Sequence, residues 1–415
     1  MRKLPLLIAA ATAVFAARAA TAQTILAGPW VELGADGRLS VRVIVPSAVT
    51  ACPRVLADGK EQQARQRGAA DGNFAITACT AEVPANSKNL SIGKEDVPIL
   101  APTIKRIVVI GDTGCRIEGR TAQNCDNSDE WPFPVIAQAA AKLQPDLVIH
   151  VGDYYYRESE CPAGDQGCAG SPHGDNWAAW KADFMDPAAP LFAAAPWVMV
   201  RGNHEDCARG GIGWMRLLDP RSPAPSCTDT SPPYHLHLGG LDLLVFDDSD
   251  ADDVKPAPAK VSAYAKQLKT IFAGAPAHAW LLMHRPIWAL AQDNLPGVTI
   301  NKTMQAAIRG QVPAALDMVL SGHLHDFTSY AFGPGRPSQL IVGDSGDTML
   351  ALNNAQPTGS EIDGMTVTDG FALERFGFFL LERADDGWNG TLYATGNQVV
   401  AQCRMSGRAL HCHAP

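Results

Sequence analysis

After its first two dozen residues, this 415-residue sequence contains no run approaching the ~20 apolar side chains that a membrane-spanning helix needs. It has no excess of positive charge either: 34 Lys and Arg stand against 43 Asp and Glu, for a net charge of −9. A phosphate backbone is neutralised by clustered Lys and Arg, so a nucleic-acid scaffold is disfavoured as a partner. No Cys-x-x-Cys pair and no Cys/His knuckle occurs, which speaks against structural zinc–thiolate. Residues 24–103 lack any helical period of useful length, and the chain shows no internal repeat.

What is present begins with a leader. Arg2 and Lys3 precede an apolar stretch from Leu4 to Ala17, followed by the small-x-small signal Ala20-Thr21-Ala22. Residues 1–22 therefore read as a signal peptide cleaved near Ala22, and the mature protein as exported, periplasmic or secreted, without a membrane span. Cleavage removes Arg2, Lys3 and Arg18 and leaves a net charge of about −12. The ten cysteines fit an oxidising compartment. They fall into neighbouring couples, Cys52/Cys79, Cys115/Cys125, Cys161/Cys168, Cys207/Cys227 and Cys403/Cys412, and short loops close most readily on entropic grounds.

Residues 23–103 read as an all-β sandwich domain: Leu39–Val45 alternates apolar and polar, and Asp36-Gly37 and Asp58-Gly59 are turn signals. From residue 104 to 415 strands alternate with helices, with helical candidates at Val135–Leu143, Trp177–Phe184 and Ala259–Phe272. Phe376–Leu381 and Gly390–Ala394 read as closing strands. The acidic stretch Asp247–Asp253 reads as a solvated loop.

Five short apolar runs end in residues that bind hard metals. Ile107–Ile110 leads to Asp112, Leu147–Val151 to Asp153 and Tyr156, and Trp197–Val200 to Asn203-His204-Glu205. Trp280–Met283 ends at His284, and Met318–Leu320 leads to Gly322-His323-Leu324-His325. Such runs punctuated by Gly are buried strands, and in layered α/β folds ligands gather beyond the carboxyl ends of strands. The alternating histidines His323 and His325 belong on one side of a strand end. His235 and His237 alternate too, but read as one face of a strand.

In order, Asp112-Thr113-Gly114, Gly152-Asp153-x-x-Tyr156, Gly202-Asn203-His204-Glu205, Leu281–His284 and Gly322-His-x-His325 resemble the motifs of the purple acid phosphatases, a branch of the calcineurin-like metallophosphoesterases. Gly114, where most of that superfamily has His, and Tyr156 both match the purple branch. The resemblance implies a four-layer αββα metallophosphoesterase sandwich, of mixed α/β (α+β) class, behind the small β-sandwich. It implies two metal ions: Fe(III) held by Asp112, Tyr156 and His325, and Zn, Mn or Fe(II) held by Asn203, His284 and His323, with Asp153 bridging. A phenol ionises near pH 10, so Tyr156 as a phenolate calls for a strongly Lewis-acidic cation.

The implied reaction is hydrolysis of a small phosphate monoester by in-line attack of a hydroxide shared by the metals. His204 would assist the leaving group and Glu205 would orient it. Phosphodiester or nucleotide hydrolysis is the alternative on the same site, and a non-catalytic iron-binding or adhesion protein is the alternative of another class. Three of the cysteine couples would staple the loops that follow Asp112, Tyr156 and His204.

Overall fold

The computed structural model describes residues 24–49, 51–222, 226–291, 299–351 and 357–415. The expected leader, residues 1–22, lies outside them. The apolar runs are strands buried on both faces. In Arg106–Ile110, Ile107 and Val109 face the layer between two sheets, while Val108 and Ile110 face a layer of helices. A strand covered on both sides has no polar face to alternate with, and this produces continuous apolar runs in the sequence.

Arg106–Ile110, Leu147–His150 and Trp197–Met199 pair in parallel at the centre of an eleven-stranded sheet. The expected closing strands are Gly377–Ala384 and Gly387–Ala394, and they extend one side of it. The second sheet has seven strands, with Asp242–Val245, Ala279–Leu282, Leu316–Ser321 and Ser338–Val342 as its parallel core. Helices Phe133–Ala141 and Gly211–Leu217 cover the outer face of the first sheet, and Pro258–Phe272 and Lys302–Ile308 that of the second. The result is the four-layer α/β sandwich. The segment at 177–184 is only briefly α-helical, over Trp177–Trp180, and continues as a wider π turn through Met185.

The amino-terminal β region contains two facing sheets. The smaller has four short strands, and Val55, Ala57, Leu90 and Ile92 from it share a core with Val31, Val41 and Val43 of the larger. The larger is not separate from the rest of the molecule. Ala27–Leu33 runs parallel to Trp197–Met199, with Glu32 opposite Trp197, so Ala27–Leu33, Leu39–Pro46, Ile76–Val83 and Ala64–Gln66 continue the eleven-stranded sheet. Residue 103 marks a change of pattern along the chain and not an edge of the sheet.

All five cysteine couples are disulfides, and no cysteine is free. Among the described residues no helix is long and apolar enough to cross a membrane.

Candidate metal centre

The carboxyl ends of both parallel strand groups meet at one place. Asp112, Asp153 and His323 each follow a strand end with positive φ, at +54°, +59° and +72°. Left-handed backbone at a non-glycine residue costs free energy and collects at functional sites. Here it turns three side chains out of their strands toward one another. Glycines supply the clearance. A Cβ on Gly202 would lie 2.0 Å from Asp153 Oδ1, and one on Gly114 would lie 2.8 Å from Tyr156 Cδ2. The absence of a side chain at 114 is therefore what admits the Tyr156 ring.

Tyr156 Oη lies 2.9 Å from Asp153 Oδ2, 3.1 Å from Asp112 Oδ1 and 3.2 Å from His325 Nε2. His284 Nε2 lies 3.1 Å from Asn203 Oδ1 and 3.1 Å from the same Asp153 oxygen, Oδ2. One nitrogen of His323 joins this second group, within 4.8 Å of the ligand atoms of Asp153 and His284. All seven expected ligand residues thus converge as two groups that share one carboxylate. Separations near 3 Å between O and N atoms are the size of the edges of a coordination shell with bonds of ~2.0–2.2 Å.

The donor chemistry fits cations. His284 Nδ1 is 2.8 Å from the Val151 carbonyl and His325 Nδ1 is 2.8 Å from the Thr348 carbonyl, so each ring donates there and keeps Nε2 as a lone pair. His323 is held by its Nε2, 3.1 Å from Asp253 Oδ2 and 3.0 Å from an Arg285 nitrogen, which leaves Nδ1 for a metal. Burial and the neighbouring Asp153 push the Asp112 carboxyl well above the usual range. Burial, Asp153 and Asp112 likewise raise the Tyr156 phenol. Asp153 is also buried, but His284 and His204 outweigh burial and hold it well below the usual range. Such crowding of buried acids is relieved by positive charge.

His204 stands beside the centre. Its backbone N–H donates to Asp153 Oδ1 at 2.8 Å, its ring packs on Tyr156 with centroids 4.0 Å apart, and its Nε2 is 3.9 Å from Asp153 Oδ2. Burial lowers its pKa to about 3. Glu205 differs from its expected place. Its carboxylate is fully buried and accepts the backbone N–H groups of Gly202, Asp153, Tyr154 and Tyr155 at 2.8–3.2 Å. It therefore holds two ligand loops together and does not meet the His204 ring. The ring is met by Glu158, whose Oε1 lies 2.5 Å from His204 Nδ1. The physical reason is that the Glu205 carboxylate, at the end of the short 3-10 turn Asn203–Glu205, is taken up by four backbone N–H groups, and Nδ1 is met by an acid from the Tyr156 loop.

Three more acids near the site were not singled out from the sequence. Asp183 accepts the N–H groups of Cys115 and Tyr156 at 2.9 and 2.7 Å and pairs with Arg157 at 2.7 Å, tying the first two motif loops together. Asp248 accepts the N–H groups of His284 and Arg285 at 3.1 Å, and Asp253 holds His323. Both belong to the acidic stretch 247–253, so the reading of that stretch as a solvated loop is corrected. Asp248 is fully buried and Asp247 is buried against Arg201. Clustered acids directly after the buried strand Asp242–Val245, at a carboxyl end, were the available signal. Arg157 and Arg201 are spent on structural partners, whereas Arg116 lies over the Tyr156 ring, 4.9 Å from its centroid, tied to Asp347 and Glu118. His150 is a core residue stacked on Tyr154, and His235 and His237 flank Asp242 on an exposed strand face.

A family model for calcineurin-like phosphoesterases matches residues 105–327, the span that carries every one of these motifs. No curated protein sequence matches the chain. Among solved structures, the purple acid phosphatase PPD1 from seeds of yellow lupin (Lupinus luteus) superposes with a TM-score of 0.60 at 12% identity, covering 93% of this chain and 74% of that one. A structure of PhoD superposes with a TM-score of 0.53 at 10% identity, covering 93% and 91%. At these identities the likeness is one of fold. With that fold, the matched span and the convergent donor set together, the chain belongs to the calcineurin-like phosphoesterases, metal-dependent hydrolases of phosphoric esters.

Proposed function

We propose that this enzyme hydrolyses small phosphate monoesters at a dinuclear centre held by Asp112, Tyr156 and His325 on one side and Asn203, His284 and His323 on the other, with Asp153 bridging. The observation that carries the reading is the position of Asp153 Oδ2, 2.9 Å from Tyr156 Oη and 3.1 Å from His284 Nε2, within reach of both groups. The ions, Fe(III) in the tyrosinate site and Zn, Mn or Fe(II) in the histidine-rich site, would supply Lewis acidity and a water of lowered pKa.

The chain's own residues supply position and protons. Glu205 and Asp183 fix the loops that carry Asp153, Asn203 and Tyr156, so the ligand cage is set before substrate arrives. His204 faces the centre without being needed as a ligand and stands where its Nε2–H can pass to a leaving oxygen, the proton made good at Nδ1 by Glu158, whose carboxyl burial pushes up to about 7. Disulfides Cys115–Cys125, Cys161–Cys168 and Cys207–Cys227 close loops directly after Asp112, Tyr156 and His204. The paired cysteines and the leader over 1–22 support an exported enzyme of an oxidising compartment.

The test is metal analysis of purified protein alongside turnover of a chromogenic phosphate monoester and the matching diester. Two metals per chain, one of them iron, with faster monoester turnover are expected. Faster diester turnover, or activity with a single metal, overturns the reading.

A further inference from the structure

Six of the eleven histidines fall in three His-x-His strings, at 235/237, 323/325 and 411/413. The middle string serves the metal centre. The other two lie on exposed strand faces, in Tyr234–His237 and Ala409–His413, each with an aspartate alongside. In the last, only His411 meets its acid, Asp369, and His413 turns to the Ala414 carbonyl at 2.6 Å. His235 and His237 differ, because both rings close on a single atom. His235 Nε2 is 2.9 Å and His237 Nδ1 is 2.8 Å from Asp242 Oδ1.

The backbone builds this arrangement. Tyr234 and Leu236 are buried, so alternation sends His235 and His237 to the exposed face of the strand. Gly239 and Gly240 carry the chain back with φ of +56° and +87°, and the Leu238 and Leu241 backbones bond to each other across them at 2.8 and 3.2 Å. Positive φ at both central residues suits the two-residue hairpin turn that matches the twist of the strands. The resulting register sets His237 opposite Asp242 and His235 opposite Leu244. Asp242 opens the strand Asp242–Val245, whose far end leads to Asp248 and Asp253 at the metal centre. The trio therefore lies at the other end of the sheet from that centre.

Charge and donor type point the same way. The Asp242 side chain is 13% exposed and has no Lys or Arg partner among the described residues; it meets the two imidazoles instead. Two ring nitrogens and a carboxylate oxygen suit divalent Zn, Ni or Cu. The two N–O separations are the size of edges of a shell with bonds of ~2.0–2.2 Å. Unlike those of Asp153, His284 and His323, the three donors are not drawn within the span of one ion, since the nitrogens flank the oxygen. The side chains of His235 and His237 are 37% and 71% exposed, so the rings are free to turn inward and the rest of the shell is open to water.

We propose that His235, His237 and Asp242 bind a divalent transition metal such as zinc, at a site formed by residues distinct from those of the catalytic centre. Each imidazole presents its Asp242-facing nitrogen as a lone pair, the ring proton moving to its other nitrogen, and the ion supplies the positive charge that the carboxylate lacks. The site does not depend on the monoesterase reading.

Equilibrium dialysis of the holoenzyme against zinc, with anomalous diffraction at the zinc edge, tests the proposal in wild type, His237→Ala and Asp242→Asn. Wild type should show an anomalous peak between the three side chains and bind there one zinc per chain. His237→Ala should hold that zinc about 100-fold more weakly, and Asp242→Asn, which keeps the oxygen without its charge, about tenfold more weakly. Turnover should match wild type in both variants. Equal zinc uptake by wild type and His237→Ala overturns the site, as does a peak at the catalytic centre alone. Uptake that Asp242→Asn leaves unchanged would mean a bare pair of surface imidazoles, and also overturns it. Zinc held at the catalytic centre cancels in the comparison between proteins, and failure of the monoesterase reading would show in turnover instead.

Discussion

Glu158 Oε1 sits 2.5 Å from His204 Nδ1, so the imidazole is oriented by an acid from the loop that also carries Tyr156. The two halves of that contact come from different strand ends, and Arg209, 3.6 Å from Glu158 and donating to the Asn203 carbonyl, ties them together. His204→Ala should lower kcat by about 10²–10⁴, the range for a lost acid–base group, while both metals stay bound. Glu158→Gln keeps shape but loses the second acceptor oxygen, and should cost about 10–100-fold in kcat, again with metals retained. Metal content measured beside kcat decides: stoichiometric loss of a metal in His204→Ala would show that His204 is a ligand.

Tyr156 is buried among acids that raise its pKa, so only a strongly Lewis-acidic cation would ionise it. If that cation is ferric iron, the protein as isolated should show a visible charge-transfer band that Tyr156→Phe abolishes with the fold intact. A colourless and fully active wild type without iron would falsify the assignment. Gly114 adds a steric counterpart. Gly114→Ala puts a methyl 2.8 Å from the Tyr156 ring and should shift or weaken the same band.

The strands and the residues proposed as ligands were legible in the sequence because burial on both faces writes an uninterrupted apolar run, and the residue after each run must leave the sheet. His323 and His325 were legible as the pair of a Gly-His-x-His string, but not by strand alternation: both lie beyond Leu316–Ser321, and His325 meets Tyr156 while His323 joins His284. The cysteine couples were legible because near neighbours close small loops. The continuity of the amino-terminal strands with the main sheet was not. Alternation in Leu39–Val45 reports one buried face, but nothing local records that Glu32 lies opposite Trp197. Glu158, Asp183 and Asp253 were missed for a related reason. A carboxylate that holds a ligand in place looks, in sequence, like any loop acid, and its partner arrives from a distant segment.

Asp253 shows what such an acid does. It accepts from His323 and from Arg285, and they hold its carboxyl well below the usual range despite its burial, so it stays ionised and fixes the imidazole. Asp253→Asn should weaken retention of the metal in the histidine-rich group by about 10–100-fold, the usual cost of losing a carboxylate behind a metal-binding His. Dialysis against graded chelator, followed by metal analysis, reads this directly. Retention equal to wild type would assign Asp253 to Arg285 alone.

Asp344 makes the stability of the fold depend on pH. It is fully buried after the strand Ser338–Val342, neither carboxylate oxygen finds a partner in another residue, and burial pushes its pKa up to about 8. Between its ordinary value of 3.8 and about 8 the folded protein holds a proton that the unfolded chain has released. Stability must then fall as pH rises through that window, by up to ~1.4 kcal/mol per pH unit from this group. Asp344→Asn keeps the shape of the neutral acid and cannot ionise. It should match wild type near pH 4 and become progressively more stable than wild type toward pH 8, with the difference levelling off above that. Denaturant midpoints of both proteins from pH 4 to 9 provide the measurement. A constant difference between them across the range would mean that Asp344 is ionised and paired in the folded protein.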